Sequence, residues 1–284
     1  WLQNRRAPSV LLPYHGIRKL LHKDAVIAEN ASPLFRLAPY IVFGAMVAAA
    51  AVIPSMGTGL PFRSAADAIA LVGLLAIARV FMSLAAMDIG TAFGTLGARR
   101  DMMIGFLAEP ALLMVIFVAS LISATTALPL IAERLVVQPL ALYPSLAFTA
   151  VAFTMVLLAE NARIPVDNPA THLELTMIHE AMLLEYSARH LALMEWAAAL
   201  KLFNYACIGF ALFVPWGTSI GETGIGALAL SIPALLAKLV VAGLWLALLE
   251  TVSAKLRVFR APEFMATAFM FAVLGLLVHL LLGA

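Results

Sequence analysis

Seven stretches of this 284-residue chain are apolar over lengths close to a membrane span: roughly 37–53, 66–88, 103–126, 140–159, 191–214, 227–249 and 264–282. Crossing the hydrocarbon as a helix takes about 20 apolar residues, because no water is there to satisfy the backbone and each N–H and C=O must pair within its own segment. The runs are too long for the strands of an outer-membrane barrel. The expected fold class is therefore all-α, a polytopic membrane helix bundle. Composition agrees: 63% of the residues are hydrophobic and 12% charged, against about 45–50% and 25% in soluble domains.

The span ends carry helix breakers or charge: Pro39, Pro54 to Gly57, Gly94 to Arg100, Pro129, Pro215 to Gly217 and Arg260 to Pro262. The sequence holds no internal repeat, and its connections are too short for a second soluble domain. Residues 1–36 are read as a cytoplasmic loop and 37–284 as one transmembrane domain with a functional cytoplasmic loop at 160–190. Within the first segment, Ile17, Leu20 and Leu21 lie opposite Arg18, Lys19 and Lys23, which predicts an amphipathic helix on the membrane surface from Pro13 to Lys23. The chain opens at Trp1, and a preceding span is expected, giving eight in the full protein.

Orientation follows from basic residues in alternate connections. One side receives Arg5, Arg6, Arg18, Lys19, Lys23, Arg36, Arg99, Arg100, Arg163, Arg189, Lys255, Arg257 and Arg260; the other receives Arg63 and Arg134. The first side is read as cytoplasmic. A net charge of +2 gives no case for a nucleic-acid partner, and the single Cys207 cannot build a disulfide, a four-cysteine zinc site or an iron–sulfur cluster.

Chemistry concentrates where charge is costly. Arg79, Lys201 and Lys238 fall inside spans, roughly 13–17 Å from a span end, whereas Glu109 and Glu195 lie about 6–9 Å from the cytoplasmic end. Asp88 and Glu250 mark span ends. Each ionisable group at bilayer depth costs at least about 2.5–3.5 kcal/mol, so five of them spread over four helices predict a shared polar interior. A set of structural ion pairs would meet that need; groups at two depths favour a proton path through Glu109, Glu195, Lys201, Arg79, Lys238 and Asp88. Glu195 and Lys201 point about 120° apart and cannot pair with each other, while Lys201, Asn204 and Tyr205 share a face. The cytoplasmic segment 160–190 is densest of all, with five of the sixteen acids and three of the six histidines. His172 and His179 could face the same way, but Leu183 stands where a zinc-protease helix needs its second histidine. No metal site and no catalytic residue is expected.

The run Glu160-Asn161-Ala162-Arg163-Ile164-Pro165-Val166-Asp167, followed by Glu174-Leu175 and Glu185-Tyr186-Ser187, resembles subunit 1 of respiratory complex I. It is most similar to that family's relatives in energy-converting nickel–iron hydrogenases and formate hydrogenlyase. Leu2 to Pro8, Leu12-Pro13-Tyr14 and Lys19-Leu20-Leu21 resemble the loop after the family's first span. Gly97, Arg100 and Glu109 match its Gly-x-x-Arg with an intramembrane glutamate nine residues on, and Arg257 to Pro262 resembles the loop before its last span.

The resemblance implies a non-catalytic, eight-span subunit of the bacterial or archaeal cytoplasmic (inner) membrane. Such a subunit joins hydrogenase-like large and small subunits to antiporter-like membrane subunits. No cofactor is expected in this chain; a nickel–iron centre and iron–sulfur clusters belong to the partners, and a quinone is the alternative ligand. The loop facing the redox arm or a quinone would comprise Arg5, Arg6, Arg100, Glu160, Arg163, Pro165, Asp167, His172, Glu174, Glu185 and Tyr186, with Glu109 beginning the acidic path. Departures favour the hydrogenase branch: Ala170 and His172 replace usual acids, and the stretch from Glu174 to Glu185 is about three residues longer. Glu195 lies one turn before the family's usual glutamate, whose place Ala198 holds, and Lys201 one turn after it. Two alternatives are complex I subunit 1 itself, with a quinone near Arg163 and Asp167, and a stand-alone secondary ion transporter.

Overall fold

A computed structural model describes residues 9–59, 67–137, 143–167, 178–221, 225–254, 256 and 260–282. Arg5, Arg6, His172 and Glu174 lie outside the described residues. Among the described residues ten helices follow in order: α1 (Leu12–Leu21), α2 (Pro33–Val52), α3 (Ala68–Asp88), α4 (Ala92–Ser123), α5 (Leu128–Val137), α6 (Pro144–Glu160), α7 (His179–Leu183), α8 (Ala188–Phe213), α9 (Ile225–Val252) and α10 (Ala261–Leu282). Six of them are long and apolar enough to cross a membrane. α6, with 17 residues, spans about 26 Å and runs beside α4 and α10. With α6 counted, these helices correspond one for one to the expected spans.

Starts and stops follow local chemistry. The Ser32 hydroxyl accepts the Leu34 N–H at 3.1 Å and Pro33 occupies the first turn, so α2 begins four residues before the expected span and carries Arg36 with it. Asp67 caps α3 in the same way through Ile69 N–H at 2.9 Å. α4 ends where Ala124 adopts the left-handed conformation, φ 47°.

The Gly94–Arg100 stretch, expected as a connection, is helical. Gly90, at φ 74°, completes the turn within residues 89–91, and α4 then runs unbroken for 32 residues. Glu109 consequently sits about 26 Å along its helix, not a turn or two from its start. A second element unforeseen in the sequence is α5, which is too short to span and packs against α4 and α8.

α4 is the hub of the bundle, in contact with α3, α6, α7 and α10; α8 packs on α2, α5 and α6, with α1 alongside it. Buried positions are dominated by small residues, including Ala38, Ala49, Ala85, Ala108, Ala111, Ala268 and Ala272. In lipid the apolar tails compete equally for large side chains, so close backbone approach over small residues holds helices together. Large apolar residues point outward instead, among them Phe106, Leu236, Val241, Leu244 and Leu281.

One end of the bundle is tied by contacts between loops. Asp88 accepts the Ser32 N–H at 2.9 Å, the Tyr186 hydroxyl donates to Phe35 O at 3.1 Å, the Ser187 hydroxyl donates to Val26 O at 2.6 Å and Leu256 N–H donates to Pro165 O at 2.9 Å. α7 belongs to this end and lies against α4 at Gly97. A Cβ there would stand 2.8 Å from the Ile178 carbonyl oxygen and 3.0 Å from Ala181 Cβ. Gly44 on α2 has open space in the same position. Replacing Gly97 with Val should therefore lift the α7 segment and destabilise the protein by about 1–3 kcal/mol, seen as faster proteolysis between Ile178 and Ser187. Gly44→Ala should leave cleavage unchanged.

Candidate functional site

Arg79 sits on α3 with its side chain 7% exposed, surrounded by carboxylates from two other helices. Its Nη2 pairs with Glu160 Oε1 at the end of α6. Its Nε lies 3.8 Å from Asp101 Oδ2, and its Nη1 3.9 Å from Glu109 Oε1, both on α4. From α8, Lys201 Nζ reaches the other Glu160 oxygen at 2.8 Å. Ser83, one turn on from Arg79, donates to Asp101 at 3.4 Å. Asn204 donates to Met46 O at 2.9 Å, fixing the polar face of α8 against α2. Tyr205, fully buried one turn from Lys201, adjoins Glu160.

The geometry depends on a four-residue spacing along α4. Asp101, Gly105 and Glu109 recur every four residues and therefore share a face. The guanidinium of Arg79 crosses α4 over Gly105, where any Cβ would collide with it. Gly105 thus makes a slot between two acids. Three carboxylates (Asp101, Glu109, Glu160) face two bases (Arg79, Lys201), so with every group ionised the cluster carries one excess negative charge. Glu160, only 4% exposed, is clamped by both bases, whereas Glu109 is 36% exposed and held at longer range. Arg79 Nη1 is buried without a hydrogen-bond partner among the described residues. Glu109 is the acid whose attachment to the cluster is loosest.

Next to this cluster lie residues 160–167 and 178–187, the described parts of the loop. Asp167, 3% exposed, accepts the backbone N–H groups of Ile178 at 3.0 Å and His179 at 3.4 Å, and so fixes the start of α7. Arg163 pairs with Glu250 of α9 at 3.4 Å. Pro165 is buried and follows a cis peptide bond. Tyr186 stacks on Phe35 with ring centroids 4.1 Å apart. Burial and the Asp88 carboxylate hold its phenol well above the usual range, so it stays protonated and donates. Burial first, then the positive charge of Lys201, holds the His179 imidazole below its ordinary value. Glu185 is exposed at the surface, and Arg100 is half-buried on α4.

Two cavities meet here. A small one of about 30 Å³ is lined by Arg79, Asp101, His179 and Lys201 among others, and a larger polar one of about 330 Å³ by Glu160, Asn161, Arg163, His179 and Lys201. A third, apolar cavity of about 500 Å³ lies between α6, α8 and α9, and its wall includes Ala199 and Leu202, which also line the polar one. Among the described residues no group of three or more His, Cys, Asp or Glu side chains is arranged to hold a metal ion.

Residues 1–281 match the family model described as NADH dehydrogenase. The chain belongs to this family, the type of complex I subunit 1. Formate hydrogenlyase subunit 4 of Escherichia coli (strain K12) is 33% identical over 274 residues, covering 96% of this chain and 88% of that protein. Hydrogenase-4 component C of the same organism is 31% identical over 216 residues, covering 76% and 67%. The fold matches a chain in the structure of the membrane-bound sulfane sulfur reductase, an archaeal respiratory membrane complex. There the TM-score is 0.82 at 19% identity, covering 96% of this chain and 88% of the other. This NADH dehydrogenase-family chain is thus an integral membrane protein whose relatives work in multisubunit complexes.

Of the residues singled out in the sequence, the fold unites Arg79, Glu109, Glu160 and Lys201. It sets three others apart. Lys238 lies over the Phe210 ring, 5.8 Å from its centroid; Glu195 is exposed; Asp88 ties α3 to the start of α2. Asp101 escaped the sequence reading because the basic pair Arg99-Arg100 looked like a loop and α4 was expected to start later, and Gly105, inside the expected span, carries no charge to mark it. Their four-residue spacing with Glu109 was the available signal. Because Glu160 neutralises two buried bases, Glu160→Gln should destabilise the protein by about 3–5 kcal/mol. Adding Lys201→Met should recover part of that loss, since Arg79 keeps Asp101 and Glu109; thermal unfolding in detergent checks both.

Proposed function

We propose that this chain is the membrane-anchoring, proton-path subunit of a multisubunit energy-converting hydrogenase or formate hydrogenlyase-like complex. Redox chemistry in a peripheral arm would be coupled there to proton translocation in the membrane. The observation that carries the reading is the buried cluster of three acids and two bases, which shares its cavity walls with Asn161, Arg163 and His179. The named relatives, formate hydrogenlyase subunit 4 and hydrogenase-4 component C, support the type of complex.

In this reading the loop end faces the cytoplasm, as the excess of Lys and Arg there favours, and the membrane is the bacterial or archaeal inner membrane. Hydrogenase-like large and small subunits, holding the nickel–iron centre and iron–sulfur clusters, sit on the 160–187 segment. Antiporter-like subunits continue the path laterally. The chain itself supplies no catalytic group.

The cluster moves a proton by exchange of partners. Protonation of Glu109 removes the excess negative charge and releases Arg79 Nη1 from its long ion pair, so that the guanidinium settles on Asp101 and Glu160. Loss of the proton from Glu109 draws it back. A change of charge in the arm, felt through Lys201 and Glu160, biases which arrangement holds, since electrostatic effects are strong where water is scarce.

The test is Glu109→Gln in the whole complex reconstituted in proteoliposomes. Proton translocation should fall by roughly a hundredfold, with assembly and uncoupled redox turnover retained; unchanged pumping would sink the role given to Glu109.

A second reading, that of a quinone-binding complex I subunit, is favoured by one feature. The apolar cavity adjoins the polar one at Ala199 and Leu202, which suits a ligand with a polar head and an apolar tail. Arg163, His179 and Lys201 would hold the head, and such a ligand would supply an acceptor of electrons and protons. Labelling of these residues by a quinone photoprobe would shift the assignment.

A further inference from the structure

We propose that His179 is the proton-entry residue of this subunit, passing protons between the water of the loop-side cavity and the buried cluster. The inference rests on the proton-path reading and adds a residue to it.

The geometry is specific. The polar cavity and the small interior cavity have a common wall of His179, Ala198 and Lys201. On the loop side that wall faces Glu160, Asn161 and Arg163; on the inner side it faces Arg79 and Asp101. Of the two titratable residues in the wall, Lys201 is engaged by Glu160 at 2.8 Å. His179 alone of the two belongs to the loop. A volume of about 330 Å³ is ample for several waters, and 30 Å³ suffices for about one, given that a site needs roughly 10–15 Å³ and polar partners. Water can therefore reach the imidazole from outside, and a single water on the inner side can carry the proton on to the Asp101 carboxylate.

His179 is also held in position. Asp167 binds its backbone N–H, and the carbonyl of Ile178, the residue before it, rests against Gly97 of α4. The charged groups around it are Lys201 on α8, Asp101 on α4, Arg79 on α3 and Asp167 in the loop, with Glu160 and Arg163 lining the shared cavity. Burial and Lys201 favour the neutral ring, so near neutral pH it is ready to take a proton and disinclined to keep it. Imidazole is suited to this because its two nitrogens can receive on one side and release on the other.

The experiment uses the assembled complex in proteoliposomes, with proton translocation and uncoupled redox turnover measured across pH. His179→Ala should lose proton translocation while keeping turnover, and added imidazole should restore it. His179→Gln, which keeps the size and the backbone contact to Asp167, should abolish the pH dependence of translocation expected of the wild type on the acid side of the ordinary histidine range and should guard against misassembly of the smaller variant. Translocation and pH profile unchanged in both variants would overturn the proposal. So would a loss in His179→Ala, with turnover intact, that imidazole does not restore. Glu109→Gln run alongside separates the two ideas: pumping retained in that variant defeats the proton-path reading, whereas pumping lost there but unaffected by His179 substitution defeats only the entry role.

Discussion

A guanidinium buried among apolar helices must find its counter-charges inside the protein, and the bundle is arranged around how Arg79 does so. Its partners come from α4 and α6, and Lys201 of α8 joins through Glu160. The interaction thereby fixes four helices relative to one another at a single point. Replacing it with apolar side chains would cost little in a purely structural bundle. What a structural staple does not require is an unequal number of charges, and here the acids exceed the bases by one. The excess falls on Glu109, the most exposed and least tightly held member.

The close approach of backbones makes that arrangement feasible. Helices packed over alanine and glycine bring α3 near enough to α4 for a long side chain to lie across it at Gly105. The same small-residue logic at Gly97 lets the 178–183 segment sit directly on α4, placing His179 beside the charged cluster instead of out in the loop. Asp167 then anchors the segment through two backbone N–H groups. The region expected to face a partner and the buried charges are separated by one wall of side chains. A charge change above is consequently felt below without any long chain of moving parts, because the intervening medium screens poorly.

Much of the fold was legible in the sequence, since hydrocarbon admits few backbone solutions and long apolar runs declare them. Boundaries were less legible. The glycines and arginines from Gly94 to Arg100 carry the usual marks of a span end, yet the helix continues there because loop residues cover it. Glu160 was read as part of the loop, although it is the most deeply clamped acid of the cluster; its place at the last residue of α6 gave no hint of depth. Lys238 looked equivalent to Arg79 and Lys201 by its depth in its span, and only the rotation of α9 within the bundle set it apart.

By itself the sequence determined the number of apolar helices, the excess of basic residues in alternate connections and the family, because hydrophobic length, loop charge and local motifs are properties of contiguous residues. Which charges meet, which acid is left loosely held and which histidine stands between water and the cluster were decided by the tertiary structure. Those outcomes depend on helix rotation and on backbone approach over single glycines, and both are set by residues far apart along the chain.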